Sequence, residues 1–259
     1  MIFYAIFVFI FGLAIGSFLN VLIDRLPQGK SIMGRSHCDF CHKKLAWYDL
    51  VPVFSFIVLR GRCRNCKKKL SFFYPVVELL TAVIFTIIFL SFHPTIGGSL
   101  DAFYLLGMTI KLTLAASLIV IFFADIKYQI IPDSMQILFF LSALVLNLMS
   151  SQIGINIVAA IIVMLPILML FLLTKGKGMG FGDVKYAFSM GFLLGIKGGL
   201  IAIYIAFILG ALVGVFLLAT KKKKLKSKIA FGPFLILGTV AVLKWSTVVF
   251  DWFRAIYGV

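Results

Sequence analysis

Two carboxylates close or open apolar runs in this chain: Asp125, after Ile121-Phe122-Phe123-Ala124, and Asp183, in Gly178-Met179-Gly180-Phe181-Gly182-Asp183-Val184-Lys185. An ionisable group at membrane depth is costly, so each is a functional candidate. Two acids together can cut a peptide bond: one ionised carboxylate activates water while a neutral one protonates the scissile carbonyl or amine. Like charges held close do not both ionise cheaply, so such a dyad shares a proton. Gly180 and Gly182 let backbone approach closely, and Lys185 leaves the same loop. Asp183 is expected at a helix N-terminus, which favours an anion, and Asp125 at a C-terminus, which does not. That polarity assigns Asp183 the base role and Asp125 the acid role. The bland alternatives are an N-cap for Asp183 and an interfacial residue near Lys127 for Asp125.

All four cysteines fall in one loop as two C-x-x-C pairs, Cys38-Asp39-Phe40-Cys41 and Cys63-Arg64-Asn65-Cys66. Thiolates at that spacing form two corners of a tetrahedral site each, and two such knuckles close a structural zinc site. Two disulfides, or four unligated thiols, are the competing readings, the first disfavoured in a reducing compartment. With four sulfurs the site has no open position, so its role is structural. His37 and His42 flank the first knuckle and are read as solvated loop residues.

The elements that must position these groups follow from composition. Hydrophobic residues make up 62% of the 259 and charged ones only 13%, outside the range of water-soluble globular domains. The expected fold is an all-α polytopic membrane protein with about eight transmembrane helices, near 1–23, 72–92, 102–124, 134–150, 155–173, 184–196, 199–220 and 229–250. A small cytoplasmic zinc-knuckle module occupies about 24–71. Segment 184–196 is short and carries Gly191 and Gly195; Leu50–Leu59 is too short to span and is assigned to the interface. The first segment lacks a basic flank and a cleavage site and is read as retained. No internal repeat of 20–50 residues is expected.

Of the 25 basic residues, eleven lie in 24–71, one is Lys127, three are Lys175, Lys177 and Lys185, and six lie in 221–228. Only Lys111, Lys197, Lys244 and Arg254 remain for other places. The basic side is the cytoplasmic one, which puts both acids there and both termini outside. The net charge of +16 is then a topology signal and an attraction to anionic membrane lipid, with no nucleic-acid partner implied. Lys221–Lys224 is read as a headgroup anchor.

Other polar residues have assignments too. Glu78, inside the second span, needs a partner; a structural contact is favoured over chemistry, with a loop cation or a substrate amine as candidates. Asp133, after Pro132, is expected to cap the fourth span. Gly12 and Gly16 are spaced for helix packing. Trp47-Tyr48-Asp49-Leu50-Val51-Pro52 is expected to seat the cysteine module on the membrane, and Asp24, Asp39 and Asp49 are the acids available to meet a basic ligand.

Along nearly its whole length the chain resembles the bacterial type IV prepilin peptidases. The resemblance rests on Gly16-Ser17-Phe18-Leu19-Asn20-Val21 leading to Arg25-Leu26-Pro27, the two C-x-x-C pairs, Tyr74-Pro75-Val76-Val77-Glu78, Asp125 followed by Ile131-Pro132-Asp133, the GxGD run ending at Asp183, and Phe231-Gly232-Pro233-Phe234. It implies an amino-terminal half, 1–95, and a six-span peptidase half, 96–259, with Asp125 and Asp183 catalytic. The implied reaction is removal of basic leaders from prepilins or pseudopilins, for type IV pili or secretion, at the cytoplasmic face of the inner membrane. Many members also methylate the new N-terminus with S-adenosylmethionine; no glycine-rich fingerprint for that donor is present, so its binding residues stay unassigned. Another GxGD intramembrane protease, or a noncatalytic zinc-bearing scaffold or transporter, remains the alternative from the residues alone.

Overall fold

In the computed structural model, residues 2–38, 40–91, 102–150, 153–220 and 230–257 are described. The elements are α1 (Ile2–Arg25), α2 (Phe54–Val58), α3 (Phe73–Ser91), α4 (Ala102–Tyr128), α5 (Asp133–Ser150), α6 (Ile153–Leu173), α7 (Phe181–Ala219) and α8 (Gly232–Tyr257), with short 3-10 turns at Leu26–Gln28 and Trp47–Leu50. Helix is the form expected of apolar segments, because lipid offers no partners to backbone N–H and C=O groups. Among the described residues, six helices are long and apolar enough to cross a membrane, and Asp133–Met149 is a shorter apolar one. Asp39 and the Lys221–Lys224 run lie outside the described residues. The chain divides into two compact units, 1–120 and 121–259.

In the first unit, α1 and α3 run antiparallel with small residues at the contact. A β-carbon on Gly12 would lie 2.6 Å from Ala82 Cα, and one on Gly16 2.6 Å from Glu78 Cα. The glycine spacing therefore serves helix packing. Gly29, at φ 63°, caps the turn after α1 through its N–H to the Leu26 carbonyl, where a left-handed residue suits glycine.

The cysteine loop contains a repeat that was not expected. Ser36–Leu45 and Gly61–Leu70 share the pattern C-x-x-C-x-K-K-L at an offset of 25 residues. Each knuckle closes with the same bonds: Cys38 N–H to Lys43 O and His42 N–H to Cys38 O in one, Cys63 N–H to Lys68 O and Lys67 N–H to Cys63 O in the other. His42 at φ 54° and Lys67 at φ 57° make the equivalent left-handed turn. The Trp47–Leu50 turn is tied to the second knuckle by the Arg64–Asp49 ion pair at 2.8 Å. Trp47, Phe54, Ile57 and Val58 are exposed apolar side chains, suited to a membrane interface.

In the second unit the two expected segments 184–196 and 199–220 form the single element α7, interrupted at Gly195 with φ 71° and ψ −179°. β-Carbons on Gly191 and Gly199 would lie 2.7 and 3.3 Å from the same atom, Val163 Cβ. Those two positions are thus within about 6 Å, whereas an unbroken helix separates residues eight apart by ~12 Å. The chain therefore doubles back at Gly195 as 181–194 and 196–219, a sharper reversal than a kink. Contacts with α8 agree: Gly198 meets Val242, Gly238 meets the Ala202 carbonyl, and Gly210 meets Phe234, the order of an antiparallel pair. Reversal frees carbonyls at the end of the first segment, and the buried Asn147 amide donates to Phe192 O at 2.9 Å. Asn156 in turn donates to Asn147 Oδ1. The fold-back brings the N-terminus of α8 to the same end of the unit as the N-terminus of α7.

Candidate active site and metal centre

Asp183 occupies the third position of α7, with Gly180 as N-cap. Its Oδ2 accepts the Gly180 amide at 3.0 Å, while Asp183 N–H donates to the Gly180 carbonyl at 3.1 Å. The carboxylate is thus fixed by its own loop at a helix N-terminus, as its sequence position indicated. Asp125 lies in the last turn of α4, where Gln129 N–H returns to its carbonyl at 2.9 Å. Both side chains are buried, at 5% and 6% exposure, and the Asp125 charge acts on Asp183.

Three residues that the sequence did not single out as site residues hold this geometry. Ile131 fills the space between two glycines, since β-carbons on Gly182 and Gly232 would lie 3.2 Å from its Cβ and Cδ1 respectively. A β-carbon on Gly232 would also lie 2.7 Å from Asp125 Oδ2, so glycine is what lets the start of α8 close on the carboxylate. The start of α8 at Gly232 therefore lies against Asp125, so the N-terminal pole of α8 acts on this carboxylate together with the C-terminal pole of α4. Gln136, 5% exposed, donates from Nε2 to the Gly182 carbonyl at 2.8 Å, gripping the residue before Asp183. Two of the three carried a signal in the sequence, Gly232 as a proline-flanked glycine in a motif and Gln136 as an amide in an apolar helix.

One oxygen of each acid, Asp125 Oδ2 and Asp183 Oδ1, is buried without a hydrogen-bond partner. Native structures seldom strand such atoms, and where they do a functional reason is expected. Lys185 pairs with Asp133 at 2.7 Å, both side chains largely exposed. Asp133 thus opens α5, and its carboxylate reaches α7, a cross-link beyond the local capping expected of it. Glu78 takes the structural contact: Oε2 accepts the Val53 amide at 2.7 Å. Asp24 accepts the Tyr74 hydroxyl at 3.0 Å and Asp49 is paired with Arg64, so both have internal partners.

The four thiols of Cys38, Cys41, Cys63 and Cys66 lie within 4.8 Å of one another, and Cys38 Sγ is 3.9 Å from Cys66 Sγ. Sulfurs bound to zinc at ~2.3 Å in a tetrahedron are about 3.8 Å apart. The cluster fits one tetrahedral ion, and no two of these thiols are joined as a disulfide. The Cys66 amide lowers the Cys63 thiol to about 7 against the opposing effect of burial, whereas at Cys66 the Lys68 amide, which lowers the thiol, is outweighed by burial and the neighbouring thiols, and these push it up to about 11; the fit to a metal rests on the sulfur geometry. His37 and His42 are exposed and outside the cluster.

The profile of the bacterial peptidase A24 N-terminal domain matches residues 10–92, and that of the type IV leader peptidase family matches residues 112–215. The chain is 33% identical to a prepilin leader peptidase/N-methyltransferase of Bacillus subtilis (strain 168), covering 90% of each chain. It is 33% identical to one of Pseudomonas putida, over 90% of this chain and 88% of that one. It is 29% identical to one of Aeromonas hydrophila, over 95% and 92%. No solved structure matches. With both profiles in chain order and relatives aligned over nine-tenths of its length, the chain belongs to the type IV leader peptidase family.

Proposed function

We propose that Asp125 and Asp183 are the catalytic dyad of a membrane aspartyl endopeptidase that removes basic leader peptides from type IV prepilins or pseudopilins. The observation that carries this reading is the pair of stranded carboxylate oxygens, Asp125 Oδ2 and Asp183 Oδ1, in one buried site. Asp183 is anchored through Oδ2, which leaves Oδ1 to face water or substrate. One ionised carboxylate takes a proton from the attacking water, and the other, protonated, gives one to the scissile group. Gly180, Gly182 and Lys185 shape the loop beside them. Lys127, Lys175, Lys177 and Lys185 flank the site in sequence, which supports a cytoplasmic orientation in the inner membrane. A substrate with its leader in the cytosol and its apolar helix in lipid would present its cleavage point at that depth.

Separate Asp125→Asn and Asp183→Asn variants, co-expressed with a prepilin and read by gel shift, test the assignment. Both should leave the precursor uncut; full processing by either removes that residue from the dyad.

The relatives' names include N-methyltransferase activity, and methylation of the new N-terminus by S-adenosylmethionine is the corresponding second reading. A described cavity of about 360 Å³ is lined by Ile2, Ala5, Ile6, Phe9, Thr86 and Leu90. That apolar lining does not fit a charged sulfonium nucleoside. Zinc is the ion assigned to the four cysteines, as a structural element of the amino-terminal half, 1–95. The half from 96 to 259 is assigned the peptidase.

A further inference from the structure

Resting on the leader-cleavage reading of the dyad, we infer that Tyr186 is a positioning residue for catalysis: its hydroxyl, tied to Thr239, fixes where α8 closes on Asp125 relative to Asp183. Asp183 is carried by α7, whereas the element that lies against Asp125 is the start of α8 at Gly232. The placing of one acid against the other therefore depends on how α8 is held to α7. Tyr186 stands one turn after Asp183. Thr239 stands two turns after Gly232, on the stretch of α8 that precedes its break at Trp245. Each thus shares a helix face with its own site residue. Both are 0% exposed, and their hydroxyl oxygens are 2.9 Å apart.

The direction of that bond follows from its surroundings. The Thr239 hydroxyl donates to the Leu235 carbonyl at 2.8 Å, which engages its single proton, so the Tyr186 hydroxyl is the donor to Thr239 Oγ1. The ring is held as well as the hydroxyl. It stacks on Phe139 of α5, with centroids 5.3 Å apart and planes at 25°. Phe139 is one turn from Gln136, whose amide grips the Gly182 carbonyl at 2.8 Å. One side chain therefore joins the helix that carries Asp183, the helix that holds its loop and the helix that closes on Asp125. Packing alone does not require this arrangement, since phenylalanine at 186 would fill nearly the same volume; the hydroxyl adds a directional tie.

The test is prepilin cleavage by full-length protein in nanodiscs of phosphatidylcholine, at equal folded concentration. Tyr186→Phe keeps the ring and should lower kcat about tenfold at nearly unchanged KM, as expected of a displacement below 1 Å. Thr239→Val should do the same, and the double variant should lose no more than either single one, because all three remove one bond. Thr239→Ser, which keeps the hydroxyl, should retain most of the rate. Asn147→Ala controls for general loosening. It removes the bond to Phe192 O, about 13 Å along α7 from Asp183, and should lose thermal stability while keeping kcat. Cleavage by Tyr186→Phe at the wild-type rate overturns the clamp, as do additive losses in the double variant or an equal loss of kcat in Asn147→Ala. Wild type and Asp183→Asn in the same assay separate the two levels. A precursor left whole by wild type, or cut by Asp183→Asn, removes the leader-cleavage reading and the clamp with it. Where wild type cuts and Asp183→Asn does not, a fully active Tyr186→Phe removes the clamp alone.

Discussion

Replacing Gly232 with alanine should damage catalysis far more than stability. The added methyl would lie 2.7 Å from Asp125 Oδ2 and 3.2 Å from its Cγ. Ordinary carbon–oxygen contacts begin at about 3.3 Å, so the carboxylate or the start of α8 must retreat by about 0.6 Å. Catalytic groups displaced by ~1 Å cost about a hundredfold in rate, which puts the expected loss between roughly tenfold and a hundredfold. Gly232 has no left-handed φ to lose, and its other neighbour is the flexible Ile131 Cδ1 at 3.2 Å; the stability cost should stay near ~1 kcal/mol. Gly238→Ala is the contrast, because its methyl would fall 2.2 Å from the Ala202 carbonyl oxygen, which is backbone and cannot swing aside. It should cost about 1–3 kcal/mol or more. Processing time courses on purified protein, with thermal unfolding followed by intrinsic fluorescence, read both effects. A Gly232→Ala protein that cuts at the wild-type rate would refute the close approach of α8 to Asp125.

Other expectations follow from single contacts. Gln136→Leu removes the bond to the Gly182 carbonyl and should lower kcat severalfold at nearly unchanged KM, for about 1 kcal/mol of lost positioning. Asn147→Ala strands the Phe192 carbonyl and the Asn156 amide at the fold-back, and thermal unfolding should show a loss of about 1–3 kcal/mol. One zinc per chain should be found by elemental analysis, falling with Cys63→Ser and with acid, because protons compete for thiolates. Metal-free protein that keeps its fold should still cut prepilin at least in part; complete loss would give the ion more than a structural role.

The sequence made the chemistry more legible than its support. Asp125, Asp183 and the four cysteines were visible because charge in an apolar run and C-x-x-C spacing are local signals. The boundary between 181–194 and 196–219 was nearly visible too, since Gly195 is the residue that allows the reversal. Gly232 and Ile131 were not, because their work depends on α8 returning beside α4, a contact across more than a hundred residues. Asp125 shows the same limit: its own helix places it at a negative pole, while a distant helix supplies a positive one. The knuckle repeat is legible as C-x-x-C-x-K-K-L, but C-x-x-C spacing alone does not show that both copies close with the same backbone bonds. Glu78 needed a partner by its place in an apolar helix, and the partner is the Val53 backbone amide, which residue types in the sequence do not reveal.

The most direct test is the intact mass of a purified prepilin after incubation with purified wild type, Asp125→Asn and Asp183→Asn proteins. A dyad in which both acids act predicts a single cut at the leader boundary by wild type and unchanged precursor with each variant at equal folded concentration. Cleavage at that boundary by either asparagine variant at a rate near wild type would contradict it.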